Sequence, residues 1–332
     1  MATNYTANYG LCQWEPEDNF LREEFNQDNA KIDAALRGVA STAEAHLAEV
    51  SHDLYGLMLQ NYYDGKTTGW KKALVFDGFQ DKNLVAMAAD CLFFTERAVG
   101  LCRTSQTVVG QGYSTQTTGA VGWRQSGVVP VSCYGHVTEV RFKTLLESGG
   151  PLDIQVQYDM YQNDQVVRGG VVPTRFQSTP LENKLTFDEP IPIQPGDTLR
   201  FMLYIHDAAQ RLYGVGSGSG TMGCYFDLEP VHGTSGAITT PALELPDRSS
   251  MWAWVRFKGG TVSLSAAGSG GEARPFAAQE DRVAANAAGE ACTERVFRLD
   301  TPPASGPVTF TLGVDLGDGT QTELFDYGIL LL

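Results

Sequence analysis

Residues 25–57 set the architecture of the chain, and they read FNQDNAKIDAALRGVASTAEAHLAEVSHDLYGL. Apolar side chains recur there every three or four residues, which is the spacing of one face of an α-helix. From Ile32 to Leu57 the intervals are 4, 3, 4, 4, 3, 4 and 3, a heptad pattern with one extra four-residue step. This narrow apolar face between charged flanks predicts an α-helical coiled-coil stalk over residues 20–61.

The predicted seam of this stalk consists of apolar residues and one amide, namely Phe25, Asn29, Ile32, Leu36, Val39, Ala43, Leu47, Val50, Leu54 and Leu57. A buried amide at Asn29 would fix the register and the number of helices at a cost in stability. Gly38 lowers the stability of a continuous helix by about 1 kcal/mol relative to alanine. Either the helix tolerates this glycine, or the segment breaks there into two helices. Because propensity alone does not stabilise such a helix in water, the seam needs a cover. Either the helix lies on its own domain, or two or three copies associate through it.

The chain of 332 residues is acidic, with 24 Lys and Arg against 39 Asp and Glu and a net charge of −15. Nucleic-acid binding needs clustered basic side chains to neutralise phosphates, and the sequence has no such cluster. It has no run of 18 apolar residues, so we expect no insertion into a membrane. The first ten residues lack the pattern of a secretory signal, and we expect a protein that is made in a reducing compartment and kept there or released by lysis.

The remainder of the chain has the short alternating segments and turn residues of antiparallel β-structure. Residues 152–161 place Leu152, Ile154 and Val156 on one face and polar side chains on the other, and residues 251–258 alternate in the same way. We predict tandem jelly-roll-like β-sandwiches at residues 62–230 and 231–332, with residues 214–220 and 266–289 as loops. Segment 138–143 matches 293–298, and 152–159 matches 308–315, which indicates either an internal duplication or chance similarity.

The sequence contains no recognisable catalytic or metal-binding motif. Its six cysteines are scattered without a C-x-x-C pair, and its five histidines lie too far apart for a compact metal site. We therefore predict a non-enzymatic protein with no metal and no cofactor. Glycoside hydrolysis needs only two carboxylates, and Asp153 and Asp159 share the polar face of one strand. A solvent-exposed acidic face explains that pair equally well.

Several aromatic residues are candidates for sugar binding, because the apolar face of a sugar ring packs on an aromatic face. Trp252 and Trp254 alternate with small apolar residues, so both should point to one face of a strand. They belong either to a sandwich core or to a stacking platform for sugars. The candidate glycan-binding residues are Trp123, Tyr161, Tyr213, Trp252 and Trp254.

The first part of the chain resembles the N-terminal segment of tail-fibre and receptor-binding proteins from phages, prophages and phage-tail-like particles of Gram-positive bacteria. The residues that carry this resemblance are 5–11 (YTANYGL), 13–15 (QWE), 25–26 (FN), 29–36 (NAKIDAAL), 62–63 (YY) and 69–79 (GWKKALVFDGF). It covers about the first 80 residues, and beyond them the similarity is only one of architecture.

The resemblance implies a homotrimeric fibre at the tail tip of a virion or phage-tail-like particle, assembled in the bacterial cytoplasm and released by lysis. Residues 1–19 would attach to baseplate or tail-tip proteins, with Tyr9, Gly10, Leu11 and Trp14 in the docking segment. The distal β-domains would contact a cell-surface polysaccharide or teichoic acid. We thus predict a non-enzymatic attachment protein. The alternatives are a structural baseplate or connector protein and a glycan-cleaving tail protein.

Overall fold

The computed structural model describes residues 1–63, 74–114, 117–118, 121–215, 221–304 and 306–332. Over these ranges the chain has a long N-terminal helix and then antiparallel sheets, so the predicted mainly-β fold with a helical N-terminus is confirmed. Most of the predicted loop at 214–220 lies outside the described residues, as does much of the stretch between 62 and 79 that resembles tail-fibre proteins.

The helix is a single continuous element. A hairpin of β1 (Asn4–Tyr5) and β2 (Cys12–Gln13) precedes helix α1 (Arg22–Tyr63). Glu23 and Glu24 lie in its first turn, where carboxylates interact favourably with the positive end of the helix dipole. The 42 residues of α1 span about 63 Å. The helix runs through Gly38 unbroken, so the alternative of two separate helices is wrong.

The strands form three consecutive groups along the chain. The first group is β3 (Leu74–Asp77), β4 (Met87–Ala88), β5 (Phe93–Phe94) and β6 (Val99–Cys102). The second group is β7 (Val108–Gln111), β8 (Thr117–Thr118), β9 (Gly122–Gln125), β10 (Val129–Pro130), β11 (Tyr134–Leu146), β12 (Leu152–Gln162), β13 (Gln165–Phe176), β14 (Leu181–Ile193), β15 (Thr198–Ile205), β16 (Gln210–Tyr213) and β17 (Cys224–Val231). The third group is β18 (Ser235–Thr239), β19 (Leu243–Leu245), β20 (Met251–Lys258), β21 (Thr261–Gly268), β22 (Ala273–Pro275), β23 (Ala277–Ala285), β24 (Ala291–Leu299), β25 (Gly306–Asp315) and β26 (Gln321–Leu331).

The second group of strands builds the first sandwich. One sheet has the order β10–β15–β12–β13 with β9 also beside β15, and the other has the order β7–β17–β11–β16–β8 with β14 also beside β11. Strict alternation in β15 buries Leu199, Phe201, Leu203 and Ile205 in the core. Alternate residues of the same strand therefore face outward, away from the opposite sheet.

The second sandwich is built from the first and third groups together. Its sheets have the orders β22–β21–β25–β18–β4, with β19 beside β25, and β23–β24–β20–β26–β6–β5, with β3 beside β26. The predicted assignment of residues 62–230 to the first sandwich is therefore wrong at its N-terminal end, because residues 74–102 complete the C-terminal sandwich. Long β26 hydrogen-bonds to β3 and β6, which covers backbone groups that an edge strand would leave unpaired. The first sandwich is an insertion within the second.

The insertion begins and ends at one point. The amide of Gly233, which follows the insertion, donates to the carbonyl of Cys102, which precedes it, at 2.8 Å. Close beside this link, the ring of Tyr134 from the first sandwich lies over Gly100 and stacks on Phe93 with the ring centroids 5.6 Å apart. A Cβ atom at Gly100 would lie 2.1 Å from that ring, so the close approach of the two sandwiches requires glycine there.

The two sandwiches share one pairing scheme. In the first, β11 pairs with β14 and β17 while β12 pairs with β13 and β15; in the second, β20 pairs with β24 and β26 while β21 pairs with β22 and β25. Strands β15 and β25 each also pair with two short earlier strands. The topology is therefore repeated. The alignment of the two halves predicted from the sequence is wrong, because it matches β11 with β24, whereas the pairing scheme makes β11 equivalent to β20. Residues 266–289 are also not one loop, since β22 and β23 lie there.

Candidate functional site

The apolar face of α1 is open on the single chain. Its large side chains are between 43% and 66% exposed, and they are Phe25, Ile32, Leu36, Val39, Leu47, Val50 and Leu54. Asn29 and Ala43 are exposed on the same face, and the side chain of Leu57 lies outside the described residues. We call these seven large residues the exposed stripe. Contiguous apolar surface of this kind is uncommon on monomeric proteins and marks an interaction site.

A different face of α1 contacts the second sandwich. Its residues are Ala48, Ser51, His52 and Tyr55, spaced three and four residues apart, and we call them the docking face. At 3.6 residues per turn the docking face lies about a third of the way round the helix from the exposed stripe. The helix thus lies on its own domain through the docking face, while the exposed stripe remains uncovered.

An aromatic cluster fixes the docking face to the sheet that contains β20 and β26. The ring of Tyr55 is fully buried and stacks on Trp254 with the centroids 5.9 Å apart and an interplanar angle of 18°. The ring occupies space above Gly328, where a Cβ atom would come within 2.2 Å of it. The ring of His52 packs against the same indole, with the ring centroids 5.4 Å apart. The docking therefore depends on the absence of a side chain at Gly328.

Buried charges surround this cluster. His52 Nε2 lies 2.6 Å from Glu294 Oε1, Arg256 Nε donates to Glu294 Oε2 at 3.1 Å, and the hydroxyl of Tyr55 donates to Asp326 at 3.1 Å. Burial raises the pKa of Asp326 to about 6, although the positive charge of Arg256 opposes this. Burial would also raise the pKa of Glu294, but the hydrogen bonds and charges of His52 and Arg256 outweigh it and hold that pKa below its usual range. The result is a connected ionic network that ties one end of α1 to three strands.

The predicted attachment residues lie at the other end of the helix. The hairpin folds back on the first turns of α1, where Glu24 accepts from the amide of Ala2 and from the indole N–H of Trp14. Gly10 has a positive φ of 59° and its carbonyl accepts from Lys31. Tyr9 and Leu11 line a shallow apolar groove together with residues of the exposed stripe, which are Ile32, Leu36 and Val39. The segment is thus part of the same apolar surface as the predicted seam.

The aromatic sugar-binding candidates separate into different locations. Trp252 and Trp254 share one face of β20, as predicted, but Trp254 is buried under α1 and cannot stack on a ligand, so that assignment is wrong. Trp252 is half-buried in the same cluster, with the guanidinium of Arg298 5.2 Å from its ring centre. Tyr213 lies on β16, in the other sheet of the first sandwich from Trp123 and Tyr161.

Trp123 and Tyr161 do lie on one surface, the outer face of the sheet β10–β15–β12–β13. Trp123 on β9 pairs with Tyr204 on β15, and Tyr161 on β12 pairs with Arg200 on the same strand β15. Tyr204 was not among the residues that the sequence singled out. The alternation of β15 contains the signal that identifies it, because Leu199, Phe201, Leu203 and Ile205 point inward and Tyr204 must point outward.

The described residues contain no group of three or more His, Cys, Asp or Glu side chains close enough together to hold a metal ion. Asp153, one of the two carboxylates considered for hydrolysis, accepts from Arg175 at 2.9 Å. All six cysteines are free, and four of them are buried, namely Cys102, Cys133, Cys224 and Cys292.

In the described part of the chain, no helix combines the length and the apolar character that crossing a bilayer requires.

Comparison with known proteins identifies no family. No protein-family model matches the chain, and no curated protein matches it. Among solved structures, dimeric latent PorU from Porphyromonas gingivalis is 13% identical with a TM-score of 0.24, covering 75% of this chain and 23% of its own. The CBM22-1–CBM22-2 tandem domain of Paenibacillus barcinonensis Xyn10C is 10% identical with a TM-score of 0.21, and the match covers 69% of this chain and 99% of the tandem domain. A structure of the Gx strain of infectious bursal disease virus is 9% identical with a TM-score of 0.19, and the match covers 71% of this chain and 40% of the viral chain. These TM-scores are too low to support any argument about function.

Proposed function

We propose that the chain is a homotrimeric, non-enzymatic attachment protein of a phage tail or phage-tail-like particle, with the sandwiches as its glycan-binding heads. The exposed stripe of α1 is the single observation that carries this proposal. Seven large apolar side chains lie open on a helix whose docking to its own domain uses another face. A second and a third copy of the same stripe would cover them.

The size of the exposed stripe suits association. Full burial of one large apolar side chain is worth about 1.5–3 kcal/mol. Seven such side chains are of the size needed to offset the cost of bringing free chains together, about 4–15 kcal/mol. The number three follows from the resemblance of the N-terminal residues to tail-fibre proteins. Weak binding by each head would become strong attachment when three heads share one stalk.

The experiment measures the mass of the full chain by sedimentation at micromolar concentration, for the wild type and for Leu47→Asp and Leu54→Asp. We expect three times the chain mass for the wild type and at least tenfold weaker association for each variant, because a buried unpaired carboxylate is costly. Ala45→Asp is the matched control, since Ala45 is exposed on α1 outside the stripe and receives the same charge. A monomeric wild type, or variants that associate as strongly as the control, would refute the trimer.

A second measurement separates the attachment protein from its alternatives. Fluorescently labelled protein is incubated with Gram-positive cell walls, and both bound fluorescence and newly formed reducing ends are quantified. The proposal expects binding without new reducing ends. A trimer that binds no cell wall would favour the structural baseplate part, and new reducing ends would favour the glycan-cleaving protein.

A further inference from the structure

The outer face of the sheet β10–β15–β12–β13 presents ordered rows of side chains across its strands. Trp123 pairs with Tyr204. Because Tyr158 pairs with Leu203 on antiparallel strands, the next residues, Gln157 and Tyr204, also lie opposite each other, and Gln157 belongs to the same row. Gln157 in turn pairs with Val171. The row next to it contains Gln125, Met202, Asp159 and Gly169. Adjacent strands lie about 4.8 Å apart, so each row of four residues extends about 14 Å, enough for a short oligosaccharide rather than one sugar ring.

Aromatic side chains on this face contact one another and remain accessible. Trp123 is 38% exposed and meets Tyr204 edge to face, with the centroids 5.5 Å apart and an interplanar angle of 79°. Tyr204 contacts His206 in the same way at 5.0 Å. In the row beyond Gln125, the guanidinium of Arg200 lies 4.4 Å from the ring centre of Tyr161. Ring faces held at fixed angles by their neighbours are preorganised for stacking.

The second sandwich shows that the fold does not require these aromatic residues. Its corresponding sheet has the same pairing, with β18, β25, β21 and β22 in place of β9, β15, β12 and β13. One of its rows consists of Thr239, Thr311, Ser265 and Pro275, and the next contains Ala237, Gly313 and Ser263. A stable sheet of this topology is therefore formed with small side chains on the outer face. Folding of this topology therefore does not account for the aromatic side chains on the outer face of the first sandwich.

The charges of the face favour a neutral ligand over a polyanion. Arg175 donates to Asp153 at 2.9 Å, and Arg200 donates to Asp164 at 3.4 Å, so both arginines have a carboxylate partner. Asp159 adds a further negative charge to the centre of the face. The whole chain carries a net charge of −15, which repels polyphosphates such as teichoic acids. The exposed amides of Gln155 and Gln157 offer both donors and acceptors, which suits hydroxyl groups.

We infer that this outer face of the first sandwich is the receptor-binding site and that its ligand is a neutral oligosaccharide lying across the strands. The inference rests on the proposed function and adds the location and the ligand class. Trp123 and Tyr204 stack on the sugar rings, and the exposed amides of Gln155 and Gln157 bind their hydroxyl groups.

The test uses an array of immobilised neutral bacterial oligosaccharides that also carries poly(glycerol phosphate) chains. The full-length protein should bind at least one neutral oligosaccharide and no poly(glycerol phosphate). Trp123→Ala and Tyr204→Ala should each weaken that binding at least tenfold. Gln157 is exposed outside the ring contacts, so Gln157→Ala examines the same row without disturbing them, and we expect at least a threefold loss. Tyr225→Ala, which replaces a half-buried tyrosine on β17 in the other sheet, is the matched control and should bind like the wild type.

Three outcomes would overturn the inference: no neutral oligosaccharide is bound, only poly(glycerol phosphate) is bound, or the variants of this face bind like the control. The sedimentation mass of each sample is measured in parallel. A trimer that binds Gram-positive cell walls but no neutral oligosaccharide refutes this inference alone, whereas a monomer that still binds sugar through Trp123 refutes the trimer alone.

Discussion

At the scale of single residues, two buried aspartates of the second sandwich have raised pKa values. The carboxylate of Asp77, on β3, accepts from the amide of Phe79 at 2.8 Å, and burial raises its pKa to about 6 from an ordinary value of 3.8. Burial also raises the pKa of Asp326 to about 6. Because the folded form binds these protons more tightly than the unfolded form, this contribution to stability is complete below pH 3.8 and is lost as the pH rises through about 6.

Asp77→Asn should change the pH dependence of stability in a defined direction. Asparagine keeps an oxygen acceptor for Phe79 and has no charge to lose. Relative to the wild type, the free energy of unfolding of the variant should therefore rise by up to about 3 kcal/mol between pH 4 and pH 8. Denaturant titrations at a series of pH values measure this difference. Asp153→Asn, at an exposed ion pair, serves as the control and should leave the profile unchanged. A difference that does not depend on pH would show that Asp77 is not protonated in this range.

At the scale of elements, the sequence predicted what local periodicity encodes. The heptad spacing predicted α1 and its exposed stripe, and alternation predicted β12 and β20. The docking face was missed because Ser51 and His52 are polar, so the apolar pattern does not include them. Strand β23, which forms a hairpin with β24, was missed because its exposed residues include few large apolar side chains. Trp254 was ambiguous for a related reason, since alternation shows which residues share a face and not what covers that face.

Gly328→Ala should weaken the contact between α1 and the second sandwich. The added methyl group would overlap the ring of Tyr55, and overpacking of this kind costs about 1–3 kcal/mol. We expect a lower melting temperature in a thermal denaturation experiment. Association through the exposed stripe should persist, because the stripe is on another face.

The matched control for Gly328→Ala is Gly38→Ala, where nothing lies within 4 Å of the added atom. Since alanine is the better helix former by about 1 kcal/mol, this control should be neutral or stabilising. If Gly328→Ala behaves like Gly38→Ala, then Tyr55 does not occupy the space above β26.

At the scale of the whole molecule, the arrangement of the two sandwiches is a property that the sequence did not reveal. Leu74 pairs with Leu330, and Gly100 pairs with Glu323, across more than two hundred intervening residues. No local pattern reports such pairing, so a boundary drawn from composition placed residues 74–102 with the wrong sandwich. The candidate sugar-binding face was likewise only partly predictable. Trp123 and Tyr161 were singled out by residue type, whereas their partner Tyr204 depends on which strands lie side by side.

Removing residues 104–231 and joining Arg103 directly to His232 should leave a folded protein. The amide of Gly233 already donates to the carbonyl of Cys102, so the junction has the geometry of a two-residue turn. We expect cooperative thermal unfolding and the loss of sugar binding. Sedimentation should give the same number of chains per oligomer as for the full-length protein. The melting temperature should fall somewhat, because Phe93 loses its stacking on Tyr134. An unfolded or aggregated product would show that the second sandwich depends on the first.

The hydrogen bond between Gly233 and Cys102 has a consequence for how such a protein can change over time. The first sandwich is connected to the second at one point. Its coding sequence can therefore be exchanged in a single recombination event, and the second sandwich would accommodate another inserted domain without further changes. Under the proposed function, every replacement would be presented at the copy number set by the helix. Specificity and valency would then be inherited independently, and a chimera with a foreign first sandwich would bind a new receptor while keeping its original assembly.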